Sequence, residues 1–268
     1  MQHISSPQNQ KFKEALRLKT SRGRKLQQRL IIFGERETQR ALESDVQLAH
    51  VFCCLELLTT DDSRQALQDW QQQRVCPILE IPKSLMETLS FGDRLDGIVA
   101  VAERPKKSLQ DLQLPDDPLI VVLQGLEKPG NIGAVLRTAD GCGVDAVIVV
   151  DACSDPYHPN AIRSSMASVF TTALVVCDSQ SLLAWCADKK IQIMATSDSG
   201  TQSYSDVQLT GRVALAFGNE AQGLTKDWLS SKQITNIAIP MSGVSDSLNV
   251  SVAAGVVLYE ARRQRTAS

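Results

Sequence analysis

The chain has 268 residues, 28 basic and 30 acidic side chains, a net charge of −2 and 43% hydrophobic residues, which is the makeup of a folded globular protein with room for two domains. This content excludes general disorder, no apolar run reaches membrane-spanning length, and residues 1–10 lack the apolar core of a secretory signal, so a cytoplasmic protein is expected. The cysteines at 53, 54, 76, 142, 153, 177 and 186 show no C-x-x-C spacing, and the histidines (His3, His50, His158) are scattered, which predicts reduced thiols and no metal site.

The first 40 residues carry ten basic side chains against Glu14, Glu35 and Glu37, a local charge of +7 that leaves −9 on the rest. A basic arm on an acidic body suits phosphate contact, although a run of charge is more often a solvated helix face. Residues 8–30 read as short basic amphipathic helices with Phe12, Ala15, Leu16, Leu26 and Leu30 as apolar positions. Then follow a strand at 30–33, a helix at 35–42, a buried strand within 47–57, a helix at 63–73, a strand at 77–81, a helix at 83–89 and a strand at 97–102. This alternation predicts a basic arm at 1–29 and a small α/β domain at 30–103. Three prolines and mixed charge in 104–118 mark a connection, with the linker placed at 104–116.

The second domain is placed at 117–268. Near-continuous apolar runs predict strands at 119–123, 146–150, 173–176, 191–195, 213–217 and 236–239, with helices at 133–141, 160–168, 180–189 and 225–231. That pattern means a parallel sheet covered on both faces. In a final helix at 249–265, Val250, Ala253, Ala254, Val257, Leu258 and Ala261 form one apolar stripe, and Val252, Val256 and Tyr259 cover part of the other side. A helix this apolar needs more cover than one sheet face provides, which favours a homodimer through this domain over burial under the N-terminal domain.

Three polar blocks interrupt the apolar rhythm at strand exits, where open α/β sheets hold ligands. In the first, 131–139, Asn131 suits a helix N-cap, Gly130 and Gly133 permit close backbone approach, and Arg137 shares a helix face with Gly133. Alone, this block is better explained as a capped helix with a surface arginine. In the second, 217–224, Gly218 and Gly223 suit backbone contact with a flat ligand, and Glu220 could orient a hydroxyl or an arginine; a plain loop explains it equally well. The third, 239–251, crowds Ser245, Asp246, Ser247 and Asn249 ahead of the apolar helix, four polar groups where a cap needs one. No G-x-G-x-x-G, G-x-x-x-x-G-K-[ST] or G-x-S-x-G motif follows the right strand, which argues against dinucleotide, nucleotide-hydrolysing and serine-hydrolase chemistry.

In this order the three blocks resemble the signature motifs of the SpoU-class (TrmH-like) RNA ribose 2′-O-methyltransferases of the SPOUT superfamily. The resemblance spans 117–268, and R-S-S-M-A-S at 163–168 resembles a family segment with an RNA-contacting arginine. The N-terminal half resembles, less closely, the family's small substrate-recognition domain. Phe33 stands where an acidic residue often precedes the glycine, and Ala221 replaces a frequent glycine.

The resemblance implies an α/β SPOUT domain with a deep trefoil knot, S-adenosyl-L-methionine as cofactor, a homodimer, and methylation of a ribose 2′-hydroxyl in RNA. Thr196, Gly218, Ile239 and Leu248 would line the cofactor pocket. Asn131, Arg137, Glu220, Ser247 and Asn249 would form the catalytic cluster, and Arg137, Arg163 and the arm residues Lys11, Lys13, Arg22, Arg24 and Lys25 would hold RNA. Guanidinium does not lose its proton in proteins. Arg137 is therefore expected to pin a phosphate and stabilise the alkoxide, with phosphate or water taking the proton and Glu220 orienting Arg137 or Asn131. The N-terminal domain and arm favour 23S ribosomal RNA over transfer RNA. The competing readings are a cofactor-binding RNA assembly factor without catalysis and a nicotinamide-dependent enzyme.

Overall fold

The computed structural model describes residues 1–92, 95–231 and 233–267. The chain forms two compact units, one of Met1–Pro105 with Tyr157–Arg163 and one of Lys106–Pro156 with Ser164–Ser268.

The first unit contains β1 (Gln2–His3), α1 (Gln10–Leu18), α2 (Ser21–Gln27), β2 (Arg29–Phe33), α3 (Glu35–Glu43), β3 (Leu48–Cys53), α4 (Asp61–Gln72), β4 (Ile78–Glu80), α5 (Lys83–Leu89) and β5 (Ile98–Glu103). Its sheet runs β1-β4-β3-β5-β2, with β5 antiparallel to both neighbours and the other pairs parallel. The Asn9 side chain accepts the Lys11 and Phe12 amides and starts α1, which turns Phe12, Ala15 and Leu18 into a core with Ile31, Phe52, Leu79, Val99 and Val101. Lys19, the C-cap of that helix, donates its Nζ to Thr88 O and Ser90 O at 3.2 and 2.6 Å.

Two sequence expectations fail in α2. Leu26 is 74% exposed rather than apolar packing. Arg24 is buried, and its Nη1 donates to Leu18 O at 3.0 Å and Lys19 O at 3.3 Å. The helix is short and lays its Gly23–Arg24 side against the end of α1, where the guanidinium satisfies carbonyls that a helix terminus leaves unpaired. Arg24 is thus a structural residue, which removes it from the RNA-contacting set. Lys11 and Lys13 are half-buried, whereas Arg22 and Lys25 are exposed.

The remaining elements are β6 (Leu119–Gln124), α6 (Pro129–Cys142), β7 (Ala146–Val150), α7 (Pro159–Ser164), α8 (Ser168–Thr171), β8 (Leu174–Cys177), α9 (Ser179–Asp188), β9 (Gln192–Thr196), β10 (Gln202–Ser203), β11 (Val213–Phe217), α10 (Lys226–Leu229), β12 (Ile234–Ala238) and α11 (Val250–Ala267). Seven parallel strands run β10-β12-β9-β11-β6-β7-β8. The helix expected at 160–168 is two helices, because Met166 and Ala167 take left-handed conformations with φ of 51° and 66°. The helix expected from 133 begins a turn earlier, with Pro129 in its first turn and Lys128 as cap. Asn131 therefore sits inside the first turn rather than capping it.

On α11, which packs against α6, Val250, Ala254, Val257, Leu258 and Ala261 are buried, while Val252 and Tyr259 are 52% and 58% exposed. Its far end is clasped by Arg265, whose guanidinium donates to Leu209 O, Asp117 O, Gly211 O and Pro118 O. Among the described residues no helix is long and apolar enough to cross a membrane.

Replacing Arg24 by Ala should cost about 1–3 kcal/mol, because carbonyls at the end of α1 lose a charged donor. Lys25→Ala should change stability by less than about 0.5 kcal/mol. Thermal unfolding of the two variants measures this, and equal melting temperatures would contradict the clasp assigned to Arg24.

Candidate functional site

A cleft of about 250 Å³ opens at the carboxyl edge of β9, β11 and β12. Its lining draws on Thr196 from the end of β9, Phe217–Leu224 after β11, and Ile239, Met241, Asp246, Ser247 and Leu248 after β12. Thr196, Gly218, Ile239 and Leu248, singled out from sequence as cofactor-binding, share this one cavity, and Glu220 and Ser247 join them. Leu229, Ile239, Met241 and Leu248 give it apolar walls; its charged residues are Asp198, Glu220 and Asp246, and no Lys, Arg or His lines it among the described residues.

The loop after β11 is rigid by construction. Asn219 and Gly223 exchange two backbone hydrogen bonds at 3.0 and 2.9 Å. The Asn219 side chain accepts the Ala221 and Gln222 amides at 2.8 and 3.1 Å and donates to Gly125 O at 3.0 Å. Gly223 has a φ of 66°, and a Cβ on Gly218 would lie 2.2 Å from the Gly223 carbonyl carbon. The glycines thus serve the loop's own closure as well as any ligand.

Glu220 ties this loop to the start of α6. Its carboxylate accepts the Glu127 and Lys128 amides at 3.2 and 3.3 Å and the Asn131 side-chain amide at 2.8 Å. Partial burial by itself pushes the Glu220 carboxyl up, but the hydrogen bonds from Asn131 and the backbone amides outweigh it and hold the group below the ordinary glutamate value. Asn131 Oδ1 in turn accepts from Asn249 Nδ2 at 3.5 Å. Asn249 also accepts the Ser251 amide and hydroxyl at 2.9 and 2.6 Å, which caps α11. One chain of hydrogen bonds thus links all three sequence blocks.

Not every expected member joins it. Arg137 lies two turns along α6 from the cleft end, is exposed, does not line the cleft and forms no hydrogen bond or ion pair among the described residues. Glu220 therefore orients Asn131 and not Arg137. Thr196 spends its hydroxyl on Ala216 O at 2.7 Å, so only its remaining atoms face the cleft. Arg163, exposed, falls with Lys11, Lys13, Arg22 and Lys25 in the first compact unit. Sequence reasoning missed Asn219, Asp198 and Met241. An Asn directly after a strand-ending glycine and two residues before a turn was the available signal for Asn219.

Polar loops converging on a cleft at the strand ends of a parallel sheet define an α/β protein that holds a small organic ligand at its carboxyl edge. The pattern of the SpoU rRNA Methylase family matches residues 118–259, and that of the MRM3-like substrate binding domain matches residues 9–100. The chain belongs to the SpoU rRNA methylase family. It is 33% identical over 215 residues, 76% of this chain and 75% of the relative, to the 23S rRNA (uridine(2479)-2′-O)-methyltransferase of Streptomyces viridochromogenes. A crystal structure of an RNA 2′-O ribose methyltransferase superposes with a TM-score of 0.83 at 36% identity, covering 98% of this chain and 99% of that one. The SpoU methyltransferase AviRb from Streptomyces viridochromogenes, in complex with AdoMet, superposes with a TM-score of 0.89 at 26% identity, covering 97% of this chain and 100% of that one.

Two outcomes are expected at this site. Gly218→Ala should destroy the loop's closure and with it ligand affinity, read by calorimetric titration with S-adenosylmethionine. The lowered Glu220 value makes its contribution complete above the ordinary glutamate range and lost as pH falls through the folded value. Ligand affinity should accordingly be flat near neutrality and decline on acidification below about 4.5, the glutamate reference value. In Glu220→Gln that decline should be reduced; an unchanged acid profile would refute the assignment.

Proposed function

We propose that this protein transfers a methyl group from S-adenosyl-L-methionine to a ribose 2′-hydroxyl of 23S ribosomal RNA. The observation that carries the reading is the hydrogen-bonded chain Glu220–Asn131–Asn249 beside the cleft. Apolar walls with carboxylates and no lining cation fit a ligand that combines an adenine ring with positive charge. Of the relatives named above, one is a 23S rRNA 2′-O-methyltransferase and another holds AdoMet, and the match to a substrate-binding domain over 9–100 supports a large structured RNA as substrate.

When bound, the sulfonium supplies an activated methyl group. The protein's task is to place a 2′-hydroxyl in line with it and stabilise the oxygen as its proton leaves. Asn131, held by Glu220, presents a fixed amide for positioning. Ser247 lines the cleft and is exposed, free to contact the ribose. Arg137 carries a permanent charge with no internal partner among the described residues, so it is available to an RNA phosphate and the developing alkoxide. Phosphate or water takes the proton. Arg163 and the surface cations Lys11, Lys13, Arg22 and Lys25 hold flanking RNA phosphates.

The linker is placed at 104–116 and the methyltransferase domain at 117–268, and residues 1–29, expected as a separate arm, are joined to the substrate-binding domain at 30–103, because β1 and α1 pack into its sheet and core. A trefoil knot in that last domain is supported by the way 197–204 hooks round the exit of β12. The Ser197 amide bonds Ile237 O, the Tyr204 amide bonds Ala238 O, and a Cβ on Gly200 would lie 2.4 Å from the Ile237 carbonyl carbon. A homodimer is supported by the outward face of α11, where Val252 and Tyr259 lie seven residues apart on one side. Pairing on that face would supply a second protomer's α6, bringing Arg137 to a cleft it does not line in its own chain. A cytoplasmic location goes with the ribosomal substrate.

The deciding experiment is transfer of labelled methyl groups to 23S rRNA transcripts, with ribose methyls mapped by mass spectrometry; binding of cofactor and RNA without transfer would favour the inactive assembly factor. Arg137→Ala should lose transfer by about 100-fold or more while cofactor affinity is retained. Val252→Arg should shift the protein toward monomer in sedimentation and abolish transfer with it.

A further inference from the structure

Behind the cleft loop, outside the motif residues already assigned, lies a second polar network. Gln124 ends β6 and is 3% exposed. Its side-chain amide donates to Thr225 Oγ1 at 3.1 Å, and its carbonyl accepts the Thr225 amide at 3.1 Å. Its Nε2 also lies 3.4 Å from Asp151 Oδ2 and 3.4 Å from Ser179 Oγ. Ser179 donates its hydroxyl to Asp151 Oδ2 and its amide to Oδ1, and Trp228 Nε1 donates to Ser179 Oγ at 2.8 Å. Every hydrogen-bonding group of the Gln124 side chain is thus engaged, as a buried amide requires.

The backbone beneath the network is set with equal care. Asp151 has a φ of 48°, a left-handed conformation that is costly for a residue other than glycine. It donates its amide to Cys177 O at 3.2 Å, and Gly125, with a φ of 66°, donates to Val150 O at 3.0 Å. Adjacent strands therefore turn out of the sheet by the same step. In that conformation Asp151 meets Ser179 and Gln124.

Thr225 is the residue that follows the cleft loop Phe217–Leu224. The loop is thus held at its exit by Gln124, at its entry by the Asn219 contact to Gly125, and in its middle by Glu220. We propose that Gln124, backed by Asp151, Ser179 and Trp228, is a positioning residue for the methyl donor: through Thr225 it fixes the loop that lines the cofactor cleft. It touches no reacting atom. This rests on the reading of the cleft as the S-adenosylmethionine site.

The test is calorimetric titration of the full chain with S-adenosylmethionine, at a temperature where circular dichroism shows each variant folded. Gln124→Leu should weaken affinity about tenfold, since it leaves the Thr225 amide and hydroxyl unpaired; Thr225→Val should weaken it less, since the Thr225 amide still reaches Gln124 Oε1. The double variant should be no weaker than Gln124→Leu, because that change already removes both bonds of the clamp. Thr225→Ser should retain wild-type affinity. Turnover at saturating cofactor should stay near normal in all of them, so the defect appears in KM and not in kcat.

Gln124→Glu adds a readout that a general loss of stability would not move. At neutral pH the new carboxylate faces the carboxylate of Asp151, so affinity falls. Relative to wild type at the same pH, affinity should recover as the pH drops and the new carboxyl gains a proton. A Gln124→Leu variant within about twofold of wild type, additive losses in the double variant, or a Gln124→Glu defect that does not respond to pH would overturn the proposal. A wild-type protein that fails to bind S-adenosylmethionine would instead overturn the function proposed above.

Discussion

The site depends on one carboxylate bound at the start of one helix. Glu220 reaches from the loop after β11 to the amides that open α6, where the helix dipole and unpaired N–H groups favour a negative charge. The two loops leave neighbouring strands, since β11 pairs with β6 along its full length. The contact therefore closes a gap at the sheet edge that strand pairing alone leaves open. Asn131 carries the link onward to Asn249 and so to the start of α11. Elements separated by 118 residues in the chain are fixed against one another by three side chains.

Charge is divided by task along this chain. The cleft lining is acidic and free of lining cations among the described residues, whereas the excess of basic side chains lies in the first 40 residues. A cationic methyl donor and a polyanionic RNA make opposite electrostatic demands, and a chain with a net charge of −2 meets both by segregation and not by an overall bias.

Much of the methyltransferase half was readable from sequence because its signals were local. Continuous apolar runs mark parallel strands buried on both faces, and glycine beside a polar residue at a strand exit marks a ligand loop. What escaped were features set by tertiary partners. Arg24 resembles its cationic neighbours until α1 ends against it. Asn131 has the composition of a cap, but Pro129 starts the helix first and releases its side chain to Glu220. The break inside 160–168 rests on left-handed Met166 and Ala167, neither of which advertises that conformation. Gln124 gave no signal, since its partners Asp151, Ser179 and Thr225 lie 27 to 101 residues away.

The clasp of Arg265 on Leu209, Gly211, Asp117 and Pro118 carries a consequence for assembly of the site. Val250 and Ala253 on α11 belong to the cleft wall, and the opposite end of the same helix is held at the start of the sheet. Ligand capture and helix docking are therefore linked equilibria. A chain whose terminal helix has detached lacks the Val250–Ala253 part of the pocket wall, and any small molecule that fills the whole pocket draws the population toward the docked form by mass action. Occupancy then acts as a conformational lock, protecting the most distant segment of the domain from local unfolding and proteolysis.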